Sequence, residues 1–195
     1  MTERLLPVIN TKPWVSPNHS SRGPLKIKYL IIHSTGGAYP GCAEWLCSPA
    51  SAVSAHFLLL KNATVYQLVD PINAAWHCGI SAWDENSDGK ISKEERQLNR
   101  SSLGIELENY GRSGYEDGQL EVLYRLSAFL IEQSQYRIPI WNVLGHKEIA
   151  PGRKRDPVDF NMNTFRARLY ERIKKERERT ETCWCGDPRD DFRAG

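Results

Sequence analysis

The 195-residue chain has few of the features that mark specialised classes of protein. Its longest apolar runs, such as residues 57–60, are far shorter than the roughly 20 residues of a membrane-spanning helix. The 26 basic side chains nearly cancel the 24 acidic ones, and a net charge of +2 excludes a protein held on nucleic acid by phosphate charge. The first residues show no secretory signal pattern.

Cysteine is scarce and odd in number, which argues against a disulfide framework. The spacing of the cysteines matches no zinc-site pattern, so we expect inert thiols. Two alternatives remain: a pair across a short helix at residues 42 and 47, and metal binding or oxidation in the 183–185 tail. The five cysteines are Cys42, Cys47, Cys78, Cys183 and Cys185.

What the chain does have is a 40% apolar content at the length of one ordinary domain. Hydrophobic alternation predicts strands at 26–33, 102–108 and 141–144, and a hairpin at 54–60 and 64–69. Helical spacing predicts helices at 42–47, 118–136 and 164–179, the last N-capped by Asn163. We therefore expect a single α/β domain at 25–179, with a mixed central sheet flanked by helices, an irregular arm at 1–24 and a tail at 180–195.

Two strand ends carry the residues of a metal site. His33 ends the first strand, and a loop rich in Gly, Pro, charge and His follows the 141–144 strand. Together they supply His33, His146 and Asp156, a set with which zinc keeps one position open for water. A lone His at a strand end is more often structural, so this interpretation depends on the second loop.

One strand carries an unexpected carboxylate. Glu106 lies among Leu103, Ile105 and Leu107, where an ionised group is costly unless something pairs with it or uses it. The alternative is a side chain that points to solvent, and Glu108, on the same face, favours that alternative slightly.

Five segments resemble, in family order, the type 2 N-acetylmuramoyl-L-alanine amidases, which include AmpD-like enzymes, phage endolysins and peptidoglycan recognition proteins. The segments are IIHSTGG at 31–37, SAHFLLLKNATVYQLVD at 54–70, AAWHCG at 74–79, SLGIELEN at 102–109 and GHKEIAPGRKRDP at 145–157. Recognition proteins often have Cys at the position of Asp156. In having an aspartate there, the chain resembles the AmpD-like and endolysin branch.

The resemblance implies a zinc site at His33, His146 and Asp156, with Glu106 and Lys154 as the catalytic pair. Glu106 would move the proton of the attacking water, and Lys154 would stabilise the oxyanion. The bond cut would join the lactyl group of N-acetylmuramic acid to L-alanine. We expect peptidoglycan or a muropeptide as substrate, contacts to it from Trp76, His77 and Asn109, and a monomer with no nucleic-acid partner and no transmembrane segment.

A second metal signal lies at 84–95, where the sequence fits the calcium loop of an EF-hand in every position. We expect a structural or activating Ca²⁺ there, although only a short helix at 92–98 follows the loop. The alternative is a solvated acidic loop. The expected ligands are Asp84, Asn86, Asp88, the Lys90 carbonyl, Ser92 and Glu95.

Two biological settings fit the sequence. The first is a phage endolysin made in the host cytoplasm and released to the cell wall, and the second is a cytoplasmic muropeptide-recycling amidase. A peptidoglycan-binding protein without catalysis and a calcium-binding regulatory module are further alternatives, which the combined zinc and catalytic set disfavours.

Overall fold

The computed structural model describes residues 7–85, 88–93, 95–111, 113–133 and 135–183. These residues form strands β1 (Ile9–Asn10), β2 (His19–Ser21), β3 (Tyr29–Ser34), β4 (Phe57–Leu59), β5 (Val65–Gln67), β6 (Asn73–Ala75), β7 (Ser102–Leu107) and β8 (Val143–Gly145). The helices are α1 (Gly41–Cys47), α2 (Asp117–Glu132), α3 (His146–Ile149) and α4 (Met162–Cys183).

Six strands form a mixed sheet in the order β1-β5-β4-β7-β3-β8. Strands β4, β7, β3 and β8 are parallel, whereas β5 runs antiparallel to β4. The predicted hairpin and the predicted α/β class with a mixed central sheet are confirmed. Strands β2 and β6 form a separate antiparallel pair.

The sheet has two unlike faces because alternate residues of a strand point to opposite sides. On one face, Leu30, Ile32 and Ile105 pack with α2 and α4 in the main core. On the other face, Tyr29 and Ile31 belong to a smaller cluster, and the side chains at the ends of their strands are polar. That second face carries the candidate site.

The N-terminal arm is more regular than the sequence indicates. Residues 9–10 pair with β5 and residues 19–21 pair with β6, so the arm adds strands to both sheets. Asn18 is buried and donates to the carbonyl oxygens of Ser48 and Val53. This run, rich in Pro and Ser, lacks the hydrophobic alternation that marks a strand in a sequence. Its strands pair through backbone groups at the sheet edges, and such pairing leaves no pattern of side chains.

Helix α4 begins earlier and ends later than predicted. Its capping residue is Asn161, whose Oδ1 accepts the Thr164 N–H at 3.0 Å. The prediction of Asn163 as the cap is wrong, since Asn163 lies inside the first turn and contacts Arg166. Residues 184–195, with Cys185, lie outside the described residues.

No helix among the described residues combines the length and the apolar content needed to cross a bilayer. Cys42, Cys47 and Cys78 are free thiols, and the first and last of them are buried. These three cysteines form no disulfide, as the sequence predicts.

Candidate metal centre and active site

Two neighbouring parallel strands bring the predicted histidines together. His33 is the second-last residue of β3, and His146 directly follows β8. Parallel strands end at the same edge of a sheet, so residues 113 positions apart in the chain meet there. Both imidazoles are buried.

Three ligand atoms converge at this edge. His33 Nδ1 lies 2.9 Å from His146 Nδ1 and 3.3 Å from Asp156 Oδ2, and His146 Nδ1 lies 3.0 Å from the same oxygen. Within the described residues this is the one group of three or more His, Cys, Asp or Glu ligand atoms that lie within 4.8 Å of one another. The structure therefore brings together the three residues that the sequence predicts as ligands.

The protonation states suit a divalent cation. Burial lowers the pKa of His33 to about 4, so the ring is neutral at pH 7. Burial alone would raise the pKa of Asp156, but contacts with His146 and His33 outweigh burial and hold that pKa well below its usual range. The neutral His33 ring, the second imidazole of His146 and the ionised Asp156 carboxylate form a donor set that zinc accepts with one coordination position open. The residues fit the metal.

The loop that carries His146 and Asp156 is fixed at both ends. Glu148 accepts the Gly145 N–H at 2.7 Å, and Arg166 of α4 donates to both of its carboxylate oxygens at 3.0 Å. The Lys147 N–H donates to the Asp156 carbonyl at 2.8 Å. These bonds place the two ligands before any ion binds, which reduces the ordering that metal binding requires.

Glu106 faces the metal centre from the neighbouring strand. It is the register partner of His33, and its Oε2 is buried without a hydrogen-bond partner. Burial and the nearby Asp156 charge raise the pKa of Glu106 to about 8, although Lys154 acts in the opposite direction. The alternative of a side chain that points to solvent disagrees with this burial. A carboxyl group with a raised pKa beside a metal centre is suited to proton transfer.

Two basic residues follow on the same loop. The Lys154 side chain is exposed and near enough to Glu106 and His33 for its charge to lower the pKa of both. Arg153 instead donates to the carbonyl oxygens of Cys78 and Ile80, at 2.7 and 2.6 Å. Lys154 is therefore free to contact a substrate, whereas Arg153 ties this loop to the segment after β6.

The three residues expected to contact substrate have different surroundings. Trp76 is partly exposed, and its indole N–H lies 3.3 Å from Ser20 Oγ. Asn109 is buried, and its Oδ1 accepts from the Ser113 hydroxyl. His77 is 7% exposed and lies against His33, so the expected contact of its ring with substrate disagrees with its burial.

Two other histidines are not among the three converging residues. His56 is fully buried, and its Nδ1 accepts the Gly104 N–H at 2.9 Å. His19 is exposed.

A set of neighbouring residues contacts His33 and His146 and supports their rings. The sequence does not predict this supporting role for any of them. His77 contacts His33, and the carbonyl of Cys78 lies 3.0 Å from His146 Nε2. Asn99 Oδ1 accepts the N–H groups of both His77 and Cys78, at 3.0 and 2.7 Å. The sequence holds one signal of this group: Gly104 interrupts an aliphatic strand, which often marks a close approach of another group.

The calcium-like loop has local bonds typical of such loops. The Asp84 carboxylate accepts the N–H groups of Asp88 and Gly89, at 3.1 and 2.7 Å, and Gly89 has φ of +76°. Glu95 accepts the Ser92 N–H at 2.6 Å, and hydrogen bonds from Ser92 lower its pKa.

The acidic side chains of this loop that the structure describes do not converge on one point. The carboxylates of Asp84, Asp88 and Glu95 do not gather within 4.8 Å of one another. Asn86 lies outside the described residues. The short helix expected at 92–98 is not formed by the described residues there, which make turns before a 3-10 helix begins at Leu98.

Fold and site together define a class: a mixed α/β sheet with a candidate His-His-Asp metal centre at the carboxyl edge of its parallel strands. The family model described as N-acetylmuramoyl-L-alanine amidase matches residues 23–159. The chain belongs to this family.

Curated relatives support the same family assignment. The chain is 33% identical to N-acetylmuramoyl-L-alanine amidase AmiD of Escherichia coli over 148 residues, which are 68% of this chain and 49% of that protein. It is 34% identical to the 1,6-anhydro-N-acetylmuramyl-L-alanine amidase AmpD of Haemophilus influenzae over 164 residues, 74% of this chain and 84% of that protein. The alignments span less than two thirds of E. coli AmiD and of Enterobacter cloacae AmpD, at 49% and 62%.

Solved structures show the same fold. A selenomethionine derivative of AmpD matches with a TM-score of 0.65 and 28% identity, over 86% of this chain and 97% of that one. E. coli AmiD, solved with anhydro-N-acetylmuramic acid-L-Ala-D-gamma-Glu-L-Lys, matches with a TM-score of 0.60 and 32% identity, over 77% and 58%. The endolysin LysCS from Clostridium intestinale shares the fold at 18% identity, with a TM-score of 0.59 over 85% and 97%.

Proposed function

We propose that this protein is a zinc-dependent N-acetylmuramoyl-L-alanine amidase. It hydrolyses the amide between the lactyl group of N-acetylmuramic acid and L-alanine. The observation that carries the proposal is the convergence of His33, His146 and Asp156 within 4.8 Å, with Glu106 as the register partner of His33. Family membership and the names of the relatives support the choice of amide bond.

Zinc held by these three residues would supply a water of lowered pKa and would polarise the substrate carbonyl. In its ionised form, Glu106 takes the proton of the attacking water at Oε2, which has no other hydrogen-bond partner in the described residues. It then delivers that proton to the leaving amine of L-alanine. The exposed ammonium of Lys154 stabilises the negative charge that develops on the carbonyl oxygen.

The substrate follows from the relatives more than from the site. The AmpD relatives are named for a 1,6-anhydro-muramyl substrate, and the AmiD complex holds an anhydro-muropeptide. Both lie above 25% identity to this chain, whereas the endolysin likeness at 18% supports the fold alone. We infer that soluble anhydro-muropeptides are hydrolysed, which corresponds to a recycling amidase. Lysis of intact sacculus as an endolysin is the second candidate.

One experiment separates these candidates. The full chain is given purified anhydro-muropeptide and dye-labelled sacculus in parallel, each with and without a zinc chelator. A recycling amidase releases peptide faster from the soluble substrate, and an endolysin releases dye faster from sacculus. Binding without hydrolysis of either substrate would indicate the non-catalytic alternative, and hydrolysis that survives complete removal of zinc would contradict the mechanism.

We also propose that the loop at 84–95 binds Ca²⁺. The proposal is supported by the ligand spacing in the sequence, the left-handed φ at Gly89 and the anchoring of Asp84 and Glu95 to backbone N–H groups. Because the carboxylates do not converge, ion binding requires them to rotate away from these N–H groups.

Calorimetry on calcium-free full-length protein tests this second proposal. Wild type should bind one Ca²⁺ at millimolar or lower concentration, and Glu95→Gln should bind much more weakly because it loses the bidentate carboxylate. Glu44→Gln, which removes an exposed charge from α1, is the matched control. Equal heats for wild type and Glu95→Gln would leave only a solvated acidic loop.

A further inference from the structure

His33 uses only one of its two ring nitrogens at the metal centre. Its other nitrogen, Nε2, lies 2.9 Å from Nδ1 of His77, and both rings are buried. Histidines that bind metals commonly donate the second N–H to a carboxylate, a carbonyl or a water. Here another imidazole lies in that position, so the tautomer of His77 decides what His33 can do.

The surroundings of His77 fix that tautomer. Its Nε2 lies 3.2 Å from Ser102 Oγ, and the Ser102 hydroxyl donates to the Leu98 carbonyl at 2.6 Å. Because the hydroxyl proton is already used, Ser102 Oγ accepts the proton of His77 Nε2. The Nδ1 atom of a neutral His77 then carries a lone pair, and it accepts the N–H of His33 Nε2.

The ring of His77 is also held in place by packing. It lies perpendicular to the rings of His33 and His56, with centroids 5.0 and 5.4 Å away. It rests on the backbone of Gly104 so closely that a Cβ there would lie 2.7 Å from two ring atoms. A side chain at 104 would push the ring out of this position.

We propose that His77 is a positioning residue that accepts the Nε2 proton of His33 and so directs the His33 Nδ1 lone pair towards the metal. Ser102 acts through His77 by fixing its tautomer, and Gly104 provides the space for the ring. The proposal rests on the zinc site of the proposed function, and it concerns the strength of zinc binding before any substrate is present.

The test compares two replacements of His77 in the full-length chain. Asparagine retains an acceptor oxygen near the position of Nδ1, whereas leucine has similar bulk to histidine but no acceptor. Zinc affinity is measured by competition with a chromogenic chelator, and the thermal midpoint of the zinc-free protein reports folding. We expect His77→Leu to weaken zinc binding by roughly 10- to 100-fold. We expect His77→Asn to retain most of the affinity, and His19→Gln, an exposed control, to leave it unchanged.

Ser102→Ala provides a second route should the His77 variants fold poorly. It should weaken zinc binding in the wild-type background and have no further effect in His77→Leu, because its influence passes through the imidazole. Equal losses in His77→Leu and His77→Asn, or additive losses with Ser102→Ala, would overturn the proposal. Either result leaves the proposed amidase function intact if wild type still binds zinc and hydrolyses substrate.

Discussion

His33 and Glu106 are register partners on the parallel strands β3 and β7, and both side chains leave the same face of the sheet. The proposed metal ligand and the proposed catalytic carboxyl group are therefore held by backbone hydrogen bonds of the central sheet rather than by loops. Groups on such rigid elements keep their mutual geometry more precisely than groups on loops do.

Glu106→Gln should lose turnover while it keeps the metal. Gln cannot move a proton, so we expect a fall of about 10²- to 10⁴-fold in turnover. Zinc affinity should be unchanged within error, because Glu106 is not among the three converging ligands. Steady-state rates on anhydro-muropeptide and zinc titration of the same sample check both expectations, and a variant that retains the wild-type rate would remove Glu106 from the mechanism.

The same substitution should stabilise the zinc-free protein at alkaline pH. The pKa of Glu106 is raised in the folded state from 4.5 to about 8, so folding favours its protonated form and stability is lost as the pH rises from about 4.5 to about 8. Gln is a neutral isostere of the protonated group. We expect urea unfolding at about pH 8 to show a gain of roughly 1–3 kcal/mol, the usual cost of an unpaired buried polar group.

Glu108→Gln is the matched control for that gain. Glu108 lies two residues further along, and its carboxylate oxygens accept the N–H groups of Tyr39 and Lys61, each at 2.9 Å. Its charge is used in the folded state, so its replacement should destabilise the protein. A gain in stability in both variants would show that the effect of Glu106 is not specific to its unpaired position.

Lys154→Ala should reduce turnover by about a hundredfold or more, the usual effect of losing one stabiliser of a developing oxyanion. Because its side chain is exposed, the thermal midpoint should not change. Lys175→Ala, which removes an exposed lysine from α4, is the control for lost charge. A Lys154→Ala enzyme with unaltered turnover would assign the oxyanion to other groups.

The sequence predicts the convergence of these three side chains because His33 and His146 lie at strand ends and Asp156 lies in the loop that follows His146. Hydrophobic runs give the strands, and parallel neighbours end at one edge, so the pattern of residues alone groups His33, His146 and Asp156. The main core was predictable from hydrophobic periodicity, since its leucines recur at helical spacing in α2.

The surroundings of the ligands were less predictable because they depend on contacts without a local pattern. His77 is buried against His33 through the path of an irregular segment, and the residue type alone equally suits a sugar-binding surface. The edge strands of the arm pair through backbone groups, which any residue carries. Neither feature leaves a periodic signal in the sequence.

Metal removal should lower stability as well as activity. Zinc at a hundred times its dissociation constant adds about 2.7 kcal/mol to the free energy of unfolding, because it binds the folded chain alone. Thermal scans with and without zinc should show this gain in wild type and none in Asp156→Ala, which lacks one of the three ligands. Glu171→Ala, an exposed control on α4, should respond to zinc as wild type does. A zinc-induced gain of full size in Asp156→Ala would exclude Asp156 as a ligand.

The buried histidines should make the zinc-free protein sensitive to mild acid. Burial lowers the pKa of His33 to about 4 and that of His56 to about 3, and it also lowers the pKa of His77. These folded-state pKa values lie below the value of about 6.5 that a histidine has in an unfolded chain. At a pH between the folded-state and unfolded-state values, the unfolded state therefore binds more protons than the folded state does. Stability is therefore complete above about pH 6.5 and is lost as the pH falls.

One pH unit below 6.5, each such histidine should remove roughly 1.4 kcal/mol of unfolding free energy. Glu106 opposes this trend, because its raised pKa stabilises the folded state as the pH falls from about 8. Urea unfolding in the Glu106→Gln background isolates the histidines. His56→Phe should flatten the dependence between about pH 7 and 5.5, and the exposed His19→Gln should not. Stability that stays constant over this interval would show that these rings take up protons in the folded state.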